Sequence, residues 1–244
     1  DAIDSPFEYD GEQFVLVDTA GIRRKRAIED ESIERYSVIR SLAAIRRADV
    51  VLIVIDASEG LSEQDVKIAG YVHEEGKACV LLINKWDLIK KDTHTVEVFK
   101  KNILIDLAFM SYIPMLFISA KTGQRVNRIM DMVKTVFEQN SRRISTGILN
   151  DIVSEAVLAN DPPSDKGRRL KIYYVTQVST RPPTFVLFVN DSTLMHFSYK
   201  RYLENYLRKS FGLDATPVRL IIRTREKQEA PSNGPRKNKE ETDE

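Results

Sequence analysis

The fold of this chain is decided by residues 78–88, which read ACVLLINKWDL. Their apolar centre, residues 80–83, is short and rich in branched side chains, which is typical of a strand buried on both faces. The strand is followed at once by the polar group Asn-Lys-Trp-Asp at residues 84–87. Open parallel α/β sheets bind ligands beyond the carboxyl ends of their strands, so we expect a ligand at this point.

The spacing Asn-Lys-x-Asp in residues 84–87 suits a guanine base. The carboxylate of Asp87 can accept two hydrogen bonds from the ring N–H and the exocyclic amine of guanine, and adenine lacks this donor pair. The aliphatic stem of Lys85 can cover the face of the base. Taken alone, the four residues fit an ordinary polar loop after a strand equally well, and the rest of the chain decides between the two.

The charge of the chain is unevenly distributed. Residues 1–140 carry 19 basic and 23 acidic side chains (net −4), residues 141–228 carry 15 and 8 (net +7), and residues 229–244 carry 3 and 5 (net −2). A basic segment beside an acidic one indicates two domains, the second of which faces an anionic partner. The last segment is polar and contains proline and glycine, and we expect a disordered tail there.

The composition favours a cytoplasmic protein. The single cysteine, Cys79, lies inside the predicted strand and cannot form an intrachain disulfide, which fits a reducing compartment. No apolar run approaches the roughly 20 residues that cross a bilayer, and the N-terminus carries no signal-peptide pattern. We therefore expect no membrane partner.

Strand and helix patterns alternate through residues 1–140, which predicts a parallel sheet with helices on both faces. From about residue 147 the order becomes α-β-β-α-β, which predicts a small α+β domain of about 80 residues. The predicted elements are a hairpin at 7–18 turning at Asp10-Gly11, helices at 29–47, 62–75, 95–109, 122–138, 147–157 and 199–210, and strands at 50–56, 78–84, 115–118, 170–176, 185–189 and 218–222. We expect the strand at 50–56 to be buried like that at 78–84, a capping box at Ser62 and Asp65, and a loop at 161–167.

Three of the predicted strands end in polar groups that share one edge of the sheet. These groups read DTAG at residues 18–21, NKWD at 84–87 and SAK at 119–121, and in that order they resemble the nucleotide-binding motifs of the Ras-like GTPases. Longer stretches resemble the Der (EngA) family of bacterial ribosome-assembly GTPases, which have two GTPase domains in tandem and a C-terminal KH-like domain. The resemblance covers about residues 1–228 and is carried by DTAGIRRK (18–25), NKWDL (84–88), RLKIYY (169–174), PPTF (182–185) and HFSY (196–199).

The resemblance implies an α/β chain with an N-terminally incomplete, P-loop-type Ras-like GTPase domain at residues 1–140 and a KH-like domain at residues 141–228. Asp18 would reach Mg²⁺ through a water, and the Gly21 N–H would approach the γ-phosphate, so these two are the predicted catalytic positions. The Ala120 N–H would donate to the guanine carbonyl oxygen. The predicted residues for GTP or GDP are Asp18, Thr19, Ala20, Gly21, Asn84, Lys85, Asp87, Ser119, Ala120 and Lys121.

Two features depart from the Ras-like pattern. No Gly-x-x-x-x-Gly-Lys-Ser/Thr occurs in the 244 residues, so the P-loop, the first strand and the switch I threonine would lie before Asp1. We therefore expect the isolated chain to bind nucleotide weakly and to be inactive in hydrolysis. Ile22 stands where Ras-type enzymes have a water-orienting glutamine, and the resemblance implies slow hydrolysis assisted by K⁺ that upstream residues bind. The basic loop at 23–26 fits a switch II that contacts a partner, or a solvated charge run.

The second domain is predicted to contact RNA through charge. KH domains clamp single-stranded RNA with a Gly-x-x-Gly loop, which this sequence lacks, whereas lysines and arginines give salt-sensitive affinity for phosphates. The resemblance implies the large ribosomal subunit and its rRNA as partners, with the other GTPase domain of the full-length protein. The tyrosines at 173, 174, 199, 202 and 206 could stack on bases, but their helical and strand spacing predicts that most of them lie in the core. The predicted RNA-binding residues are Arg168, Arg169, Lys171, Arg181, Lys200 and Arg201.

The leading interpretation is a GTP-binding and GTP-hydrolysing factor for assembly of the large (50S) ribosomal subunit. One alternative is an RNA- or ribosome-binding module without enzymatic activity, which GTP hydrolysis with and without upstream residues would separate from the first. Another is a KH-bearing GTPase of the Era type. The absence of a Gly-x-x-Gly sequence and the sequence NKWD at residues 84–87 argue against that alternative.

Overall fold

The structure is a computed structural model that describes residues 4–17, 42–165 and 167–225. Several predicted features therefore lie outside the described residues: the DTAG group at 18–21, Ile22 and the basic loop at 23–26, most of the helix predicted at 29–47, and the tail at 229–244. The described part of that helix covers residues 42–47 and is named α1.

The chain opens with the predicted hairpin, which is confirmed. Strand β1 (Asp4–Tyr9) pairs antiparallel with β2 (Glu12–Val17). Asp10 and Gly11 both have positive φ, 54° and 75°, which is the backbone that a two-residue hairpin turn requires.

The centre of the N-terminal domain is a parallel sheet in the order β3-β4-β5, as the alternating pattern predicts. Along β4, Cys79, Leu81 and Ile83 face a core shared with α1, α2 and α3. Ala78 and Val80 face a second core shared with α4. The expected burial of this strand on both faces is confirmed. The elements are β3 (Val50–Asp56), α2 (Glu63–Glu74), β4 (Ala78–Asn84), a 3₁₀ turn (Trp86–Leu88), α3 (Thr95–Asp106), a 3₁₀ turn (Ala108–Met110), β5 (Met115–Phe117) and α4 (Arg128–Ser141).

Local sequence signals set the ends of these helices. Ser62 caps α2, because its hydroxyl accepts from the Asp65 N–H while the Asp65 carboxylate accepts from the Ser62 N–H, which is the predicted capping box. The expected helix from Thr122 is wrong at its start, since α4 begins only at Arg128. Gly123 and Arg125 have φ of 76° and 58°, which no α-helix accommodates.

Two smaller expectations in this domain are also corrected. The expected burial of β3 on both faces is wrong at Val54, which is 52% exposed because α4 packs over Val50 and Leu52 without reaching it. Helix α3 ends at Asp106 rather than near residue 109, and the chain continues in a 3₁₀ turn.

The C-terminal domain packs two helices on one face of a three-stranded sheet in the order β10-β9-β8. Strand β9 runs antiparallel to β8 and parallel to β10, and residues such as Val153, Phe185 and Leu203 form the core between sheet and helices. The predicted α-β-β-α-β order is confirmed, with a short hairpin added in the predicted loop. The elements are α5 (Thr146–Ala159), β6 (Ser164–Asp165), β7 (Arg168–Arg169), β8 (Ile172–Ser179), β9 (Thr184–Val189), a 3₁₀ turn (Ser192–Leu194), α6 (Phe197–Ser210) and β10 (Arg219–Thr224).

The tyrosines of this domain divide by the face on which they lie. Tyr199 is buried under α5, as expected, and its hydroxyl donates to the Asn160 carbonyl at 2.9 Å. Tyr202 and Tyr206 are half-buried and pack against the same core, so most of the five tyrosines lie there as expected. Tyr173 and Tyr174 are the exceptions, at 42% and 40% exposed. They lie on β8, whose core-facing residues Ile172 and Val175 pack against the helices instead.

The two domains meet at the amino ends of the parallel strands. Ala215 of the C-terminal domain packs into the core that contains Ala78, the first residue of β4. The Thr216 hydroxyl donates to the Asn140 side-chain oxygen at 2.7 Å, and both residues are buried. A buried polar pair of this kind fixes one geometry, because any other would leave each group without a partner.

The junction is also closely packed at Gly76. A Cβ on this residue would lie 2.8 Å from the side chains of Pro182 and Arg219, and the φ of 69° favours glycine as well. Arg219 donates to the Glu74 carbonyl at 2.5 Å beside it. The junction therefore lies at the opposite end of the sheet from residues 84–87.

Candidate nucleotide-binding site

Two of the three predicted polar groups come together beyond the carboxyl ends of β4 and β5. The side-chain oxygen of Asn84 accepts a hydrogen bond from the Ala120 N–H at 3.0 Å. The Trp86 N–H donates to the Ile118 carbonyl at 3.0 Å. These two bonds tie the loop that follows β4 to the loop that follows β5. The third group, residues 18–21, lies outside the described residues.

The bond to Asn84 bears on the predicted role of Ala120. The predicted acceptor of the Ala120 N–H is the guanine carbonyl oxygen, but here the N–H is donated to the Asn84 side chain. Because one N–H makes one strong bond, contact with guanine would replace the bond to Asn84. The role of Ala120 toward guanine stays a prediction.

Ser119 positions the carboxylate that is predicted to select guanine. Ser119 is fully buried, and its side-chain oxygen accepts from the Thr122 N–H at 3.1 Å. A hydrogen bond with Ser119 is the main cause that lowers the pKa of Asp87, and the positive charge of Lys121 lowers it further. Asp87 is therefore ionised at neutral pH, and Ser119 and Lys121 support it.

One oxygen of this carboxylate is left for a ligand. Asp87 Oδ1 is buried and has no hydrogen-bond partner among the residues that the structure describes. A buried carboxylate oxygen without a donor is energetically unfavourable, and the great majority of such atoms in folded proteins are paired. The paired N–H donors of guanine are the chemical group that this atom lacks.

Lys85 is held by a carboxylate that the sequence did not single out. Its backbone is left-handed, with φ of 60°, and its ammonium nitrogen lies 2.5 Å from Asp56 Oδ2. Asp56 ends β3 and is buried, and it also accepts from the Ser58 N–H and hydroxyl at 2.9 and 2.6 Å. The bonds with Lys85 and Ser58 lower the pKa of Asp56 to about 2 despite its burial. The ion pair therefore fixes the course of the Lys85 stem, which is predicted to cover the base.

Trp86 anchors the loop between Lys85 and Asp87. Its indole is 2% exposed and packs against Phe99 and Phe117, with ring centroids 5.3 and 4.4 Å away. The residues on either side of a buried ring have little freedom to move. Residues 84–87, which we call the recognition loop after their predicted role, are thus anchored on the core of the domain.

The phosphate end of the site falls outside what the structure describes. Asp18 and Gly21, the predicted magnesium and γ-phosphate positions, are not among the described residues. Within residues 4–17, 42–165 and 167–225, no group of three or more histidines, cysteines, aspartates or glutamates is placed to hold a metal ion. The described geometry therefore concerns the predicted base-binding end of the site.

Comparison with known proteins supports the same assignment. The family described as "50S ribosome-binding GTPase" matches residues 1–85, and the family described as "KH-domain-like of EngA bacterial GTPase enzymes, C-terminal" matches residues 143–223. GTPase Der of Alkaliphilus oremlandii is 57% identical over 223 residues, which are 91% of this chain and 50% of that protein. The chain belongs to the Der family of GTPases.

Other Der proteins give the same result. GTPase Der of Ruminiclostridium cellulolyticum is 59% identical over 228 residues, 93% of this chain and 52% of its own length. The chain thus spans about half the length of the curated Der proteins that it matches. A solved structure of Era "in complex with MgGDPNP and nucleotides 1506-1542 of 16S ribosomal RNA" aligns with a TM-score of 0.46 and 18% identity, over 91% of this chain and 80% of that one.

The chain therefore carries a Ras-like GTPase domain followed by the KH-like domain of the Der family, as the sequence predicted. None of the described helices is long and apolar enough to cross a bilayer.

The predicted RNA-binding residues of this Der-family chain do not form one compact site. Arg168 pairs with Asp191 at 3.0 Å and Arg169 with Asp161 at 2.5 Å, both on the exposed surface beside the start of β8. The ammonium of Lys171, in the same region, lies 5.6 Å from the centre of the Tyr173 ring.

The other three predicted residues lie elsewhere. Arg181 follows the far end of β8, roughly 25 Å along an eight-residue strand, where it faces Asp49 of the N-terminal domain at 3.3 Å. Lys200 and Arg201 lie in the first turns of α6, and Lys200 is 3.8 Å from Glu204. The sequence indicated only that the domain is basic. The fold shows that Arg168, Arg169 and Lys171, which we call the hairpin group, lie far from Arg181 at the domain junction.

Proposed function

We propose that this chain is the guanine-recognising and RNA-binding part of a GTP-binding and GTP-hydrolysing factor for assembly of the large (50S) ribosomal subunit. The observation that carries the proposal is the carboxylate of Asp87, ionised and held by Ser119 while its buried Oδ1 lacks a donor. The Asp87 carboxylate lies beyond the carboxyl ends of parallel strands, where such sheets bind ligands.

In this proposal each described side chain has a distinct task. Asp87 accepts the two N–H donors of guanine, and the Lys85 stem, fixed by its ion pair with Asp56, lies against the base. Asn84 holds the two loops together through the Ala120 N–H. These residues select the base and take no part in bond cleavage.

The phosphate end of the proposal rests on the family resemblance. Asp18 would hold Mg²⁺ through a water, Gly21 would meet the γ-phosphate, and residues before Asp1 would supply the P-loop and a K⁺ site. The bound Mg²⁺ supplies charge neutralisation for the phosphates. We place the protein in the cytoplasm, and we propose the other GTPase domain of the full-length protein as a partner.

The ribosomal part of the proposal is supported by charge. Residues 141–228 carry a net charge of +7, and the strongly basic hairpin group is exposed. A net positive surface favours phosphate contacts that depend steeply on salt. The description of the matched family as 50S ribosome-binding gives the proposed partner.

Hydrolysis tests the enzymatic half of the proposal. We expect slow release of phosphate from GTP, above the background rate, when a first strand, a P-loop and switch I precede Asp1, for example those of the Alkaliphilus oremlandii relative joined to this chain. Residues 1–244 alone are expected to show only the background rate, because the groups that hold the β- and γ-phosphates are then missing. A colorimetric phosphate assay in KCl and in NaCl measures both proteins, with faster release expected in KCl.

The opposite result would favour the non-enzymatic alternative. If the extended protein binds large ribosomal subunits but releases no phosphate in either salt, with or without the subunits, the chain acts as a ribosome-binding module.

Charge reversal tests the RNA half of the proposal. The double variant Arg168→Glu with Arg169→Glu is expected to bind large ribosomal subunits more weakly and to flatten the salt dependence. The log–log slope is expected to fall by about 0.7 to 0.9 for each phosphate that the variant no longer neutralises. Co-sedimentation at several KCl concentrations measures this.

The matched control is the double variant Arg46→Glu with Arg47→Glu. These are also adjacent, exposed arginines with carboxylate partners, but they lie on the N-terminal domain. If the Arg168–Arg169 variant and the wild type show the same salt dependence of subunit binding, Arg168 and Arg169 do not contact the RNA.

A further inference from the structure

The outer sheet face of the C-terminal domain carries side chains that the proposed function does not use. We define this face by the residues that alternate with the core positions and point away from α5 and α6. Strand register places Tyr174 opposite Phe188, and Phe188 opposite Arg223, in one row across the three strands. The next row is formed by Thr176, Val186 and Ile221.

The first row is an aromatic pair that ends in a cation. The Tyr174 and Phe188 rings are nearly parallel, with an interplanar angle of 17° and centroids 4.4 Å apart. Phe188 thus covers one face of the Tyr174 ring. Because β8 is the edge strand, the other ring face points away from the sheet, which agrees with the 40% exposure of Tyr174.

The apolar surface continues along the sheet. Ile221 is 42% exposed, and Val178, farther along β8, is 53% exposed. Helices α5 and α6 cover the opposite face of the same strands, and the strand side chains on that face are buried. Val186, at the centre of this face, is only 4% exposed, so the exposed apolar side chains lie around it on β8 and β10. Exposed apolar side chains grouped on one face of a folded domain are typical of a binding surface.

The charged side chains on the three strands are all basic. The Tyr173 ring lies between two cations, with the Lys171 ammonium 5.6 Å and the Arg225 guanidinium 5.5 Å from its centre. Strand β10 contains Arg219 and Arg223, and none of the three strands contains an aspartate or a glutamate. A partner for this face therefore combines flat apolar groups with negative charge.

We propose that a single-stranded RNA segment lies on the outer sheet face, with a base stacked on Tyr174 and phosphates beside Arg223 and Arg225. Unpaired bases supply both the flat apolar face and the adjacent negative charge, and aromatic side chains on open sheets bind them by stacking. A duplex hides its base faces inside the stack and does not fit. The inference rests on the proposed RNA-binding function and assigns it a surface and a class of RNA.

This surface is distinct from the loop clamp of KH domains, for which the chain has no Gly-x-x-Gly sequence. It is also distinct from Arg168 and Arg169, which are paired with Asp191 and Asp161 at the hairpin. The two groups can therefore be tested separately.

The test measures binding of a fluorescein-labelled 12-mer of uridylate to the whole chain by fluorescence anisotropy, with a 12-base-pair RNA duplex in parallel. Tyr174→Leu keeps apolar contact with Phe188 but removes the stacking face, and we expect it to weaken single-strand binding about 5- to 100-fold. Tyr174→Phe retains the ring and is expected to bind like the wild type. Arg223→Gln is expected to reduce the salt slope by about 0.7.

Tyr71→Leu is the matched control, because Tyr71 is 43% exposed on α2 of the N-terminal domain and is expected to have no effect. Equal melting temperatures for Tyr174→Leu and Tyr174→Phe exclude unfolding as the cause. The inference is overturned if the wild type prefers the duplex or binds neither RNA, or if Tyr174→Leu binds the 12-mer as the wild type does. It is also overturned if Tyr174→Leu weakens only association with a separate GTPase domain, which would assign the face to a protein partner.

Binding to large ribosomal subunits, measured on the same variants, separates this inference from the proposed function. Suppose that the Arg168–Arg169 variant loses subunit binding, while Tyr174→Leu changes binding to neither the subunits nor the 12-mer. That result would contradict this inference but not the proposed function. Failure of the wild type to bind subunits would sink the ribosomal proposal, whatever the 12-mer does.

Discussion

Replacing Asp87 by asparagine is expected to lower the affinity for GDP by about 30- to 1000-fold, which corresponds to about 2–4 kcal/mol. The amide keeps one oxygen but turns its other end into a donor, which faces the donating exocyclic amine of guanine. Xanthine has a carbonyl at that position, so the variant is expected to gain relative affinity for xanthosine diphosphate. Competition against a fluorescent guanine nucleotide, in a protein with the P-loop residues before Asp1, measures both changes.

Asp106→Asn is the matched control for this substitution. Asp106 is an exposed carboxylate at the end of α3, and the same loss of charge there is expected to leave nucleotide preference unchanged. An Asp87→Asn variant with the guanine preference of the wild type would remove Asp87 from the base site, and with it the main support for the nucleotide proposal.

Trp86→Ala is expected to have the largest effect on stability, about 3–5 kcal/mol less free energy of unfolding. The indole is nearly fully buried against Phe99 and Phe117, and alanine would leave a cavity beneath the recognition loop. Because Lys85 and Asp87 flank this residue, nucleotide affinity is expected to fall as well. Urea unfolding followed by circular dichroism measures the first effect.

Two other substitutions set the scale for Trp86→Ala. Trp86→Phe keeps an aromatic ring in the same core and is expected to cost much less than the alanine variant. Ile105→Ala removes an apolar side chain that is 67% exposed, and is expected to change stability by no more than about 0.5 kcal/mol. If Trp86→Ala unfolded at the same urea concentration as Ile105→Ala, the indole would not support the core as the structure indicates.

The sequence was sufficient for the parts of the fold and site that depend on local patterns. The apolar run before Asn84 predicted a buried strand, and its polar end predicted the position of Asp87 at the ligand edge. The turn at Asp10-Gly11 and the cap at Ser62 were readable for the same reason, because residues a few positions apart determine both.

Features that depend on which elements become neighbours could not be predicted from the sequence. Asp56 and Lys85 are far apart in sequence, and their ion pair requires that β3 lie beside β4 with the two strand ends level. Which of the five tyrosines are exposed could not be predicted, because alternation shows which residues share a face but not which face the helices cover. The start of α4 was missed because nothing in the residue type of Arg125 announces its left-handed backbone.

Strand β4 connects the domain junction at Ala78 with the proposed guanine-binding loop at Asn84, about 20 Å away. Its interior is packed tightly on both sides, and a close-packed interior of this kind has no slack to lengthen, shorten or slide. The strand therefore acts as a spacer of fixed length rather than as a signalling element. Any coupling between the two ends of the strand has to pass around it, through the surrounding helices and loops.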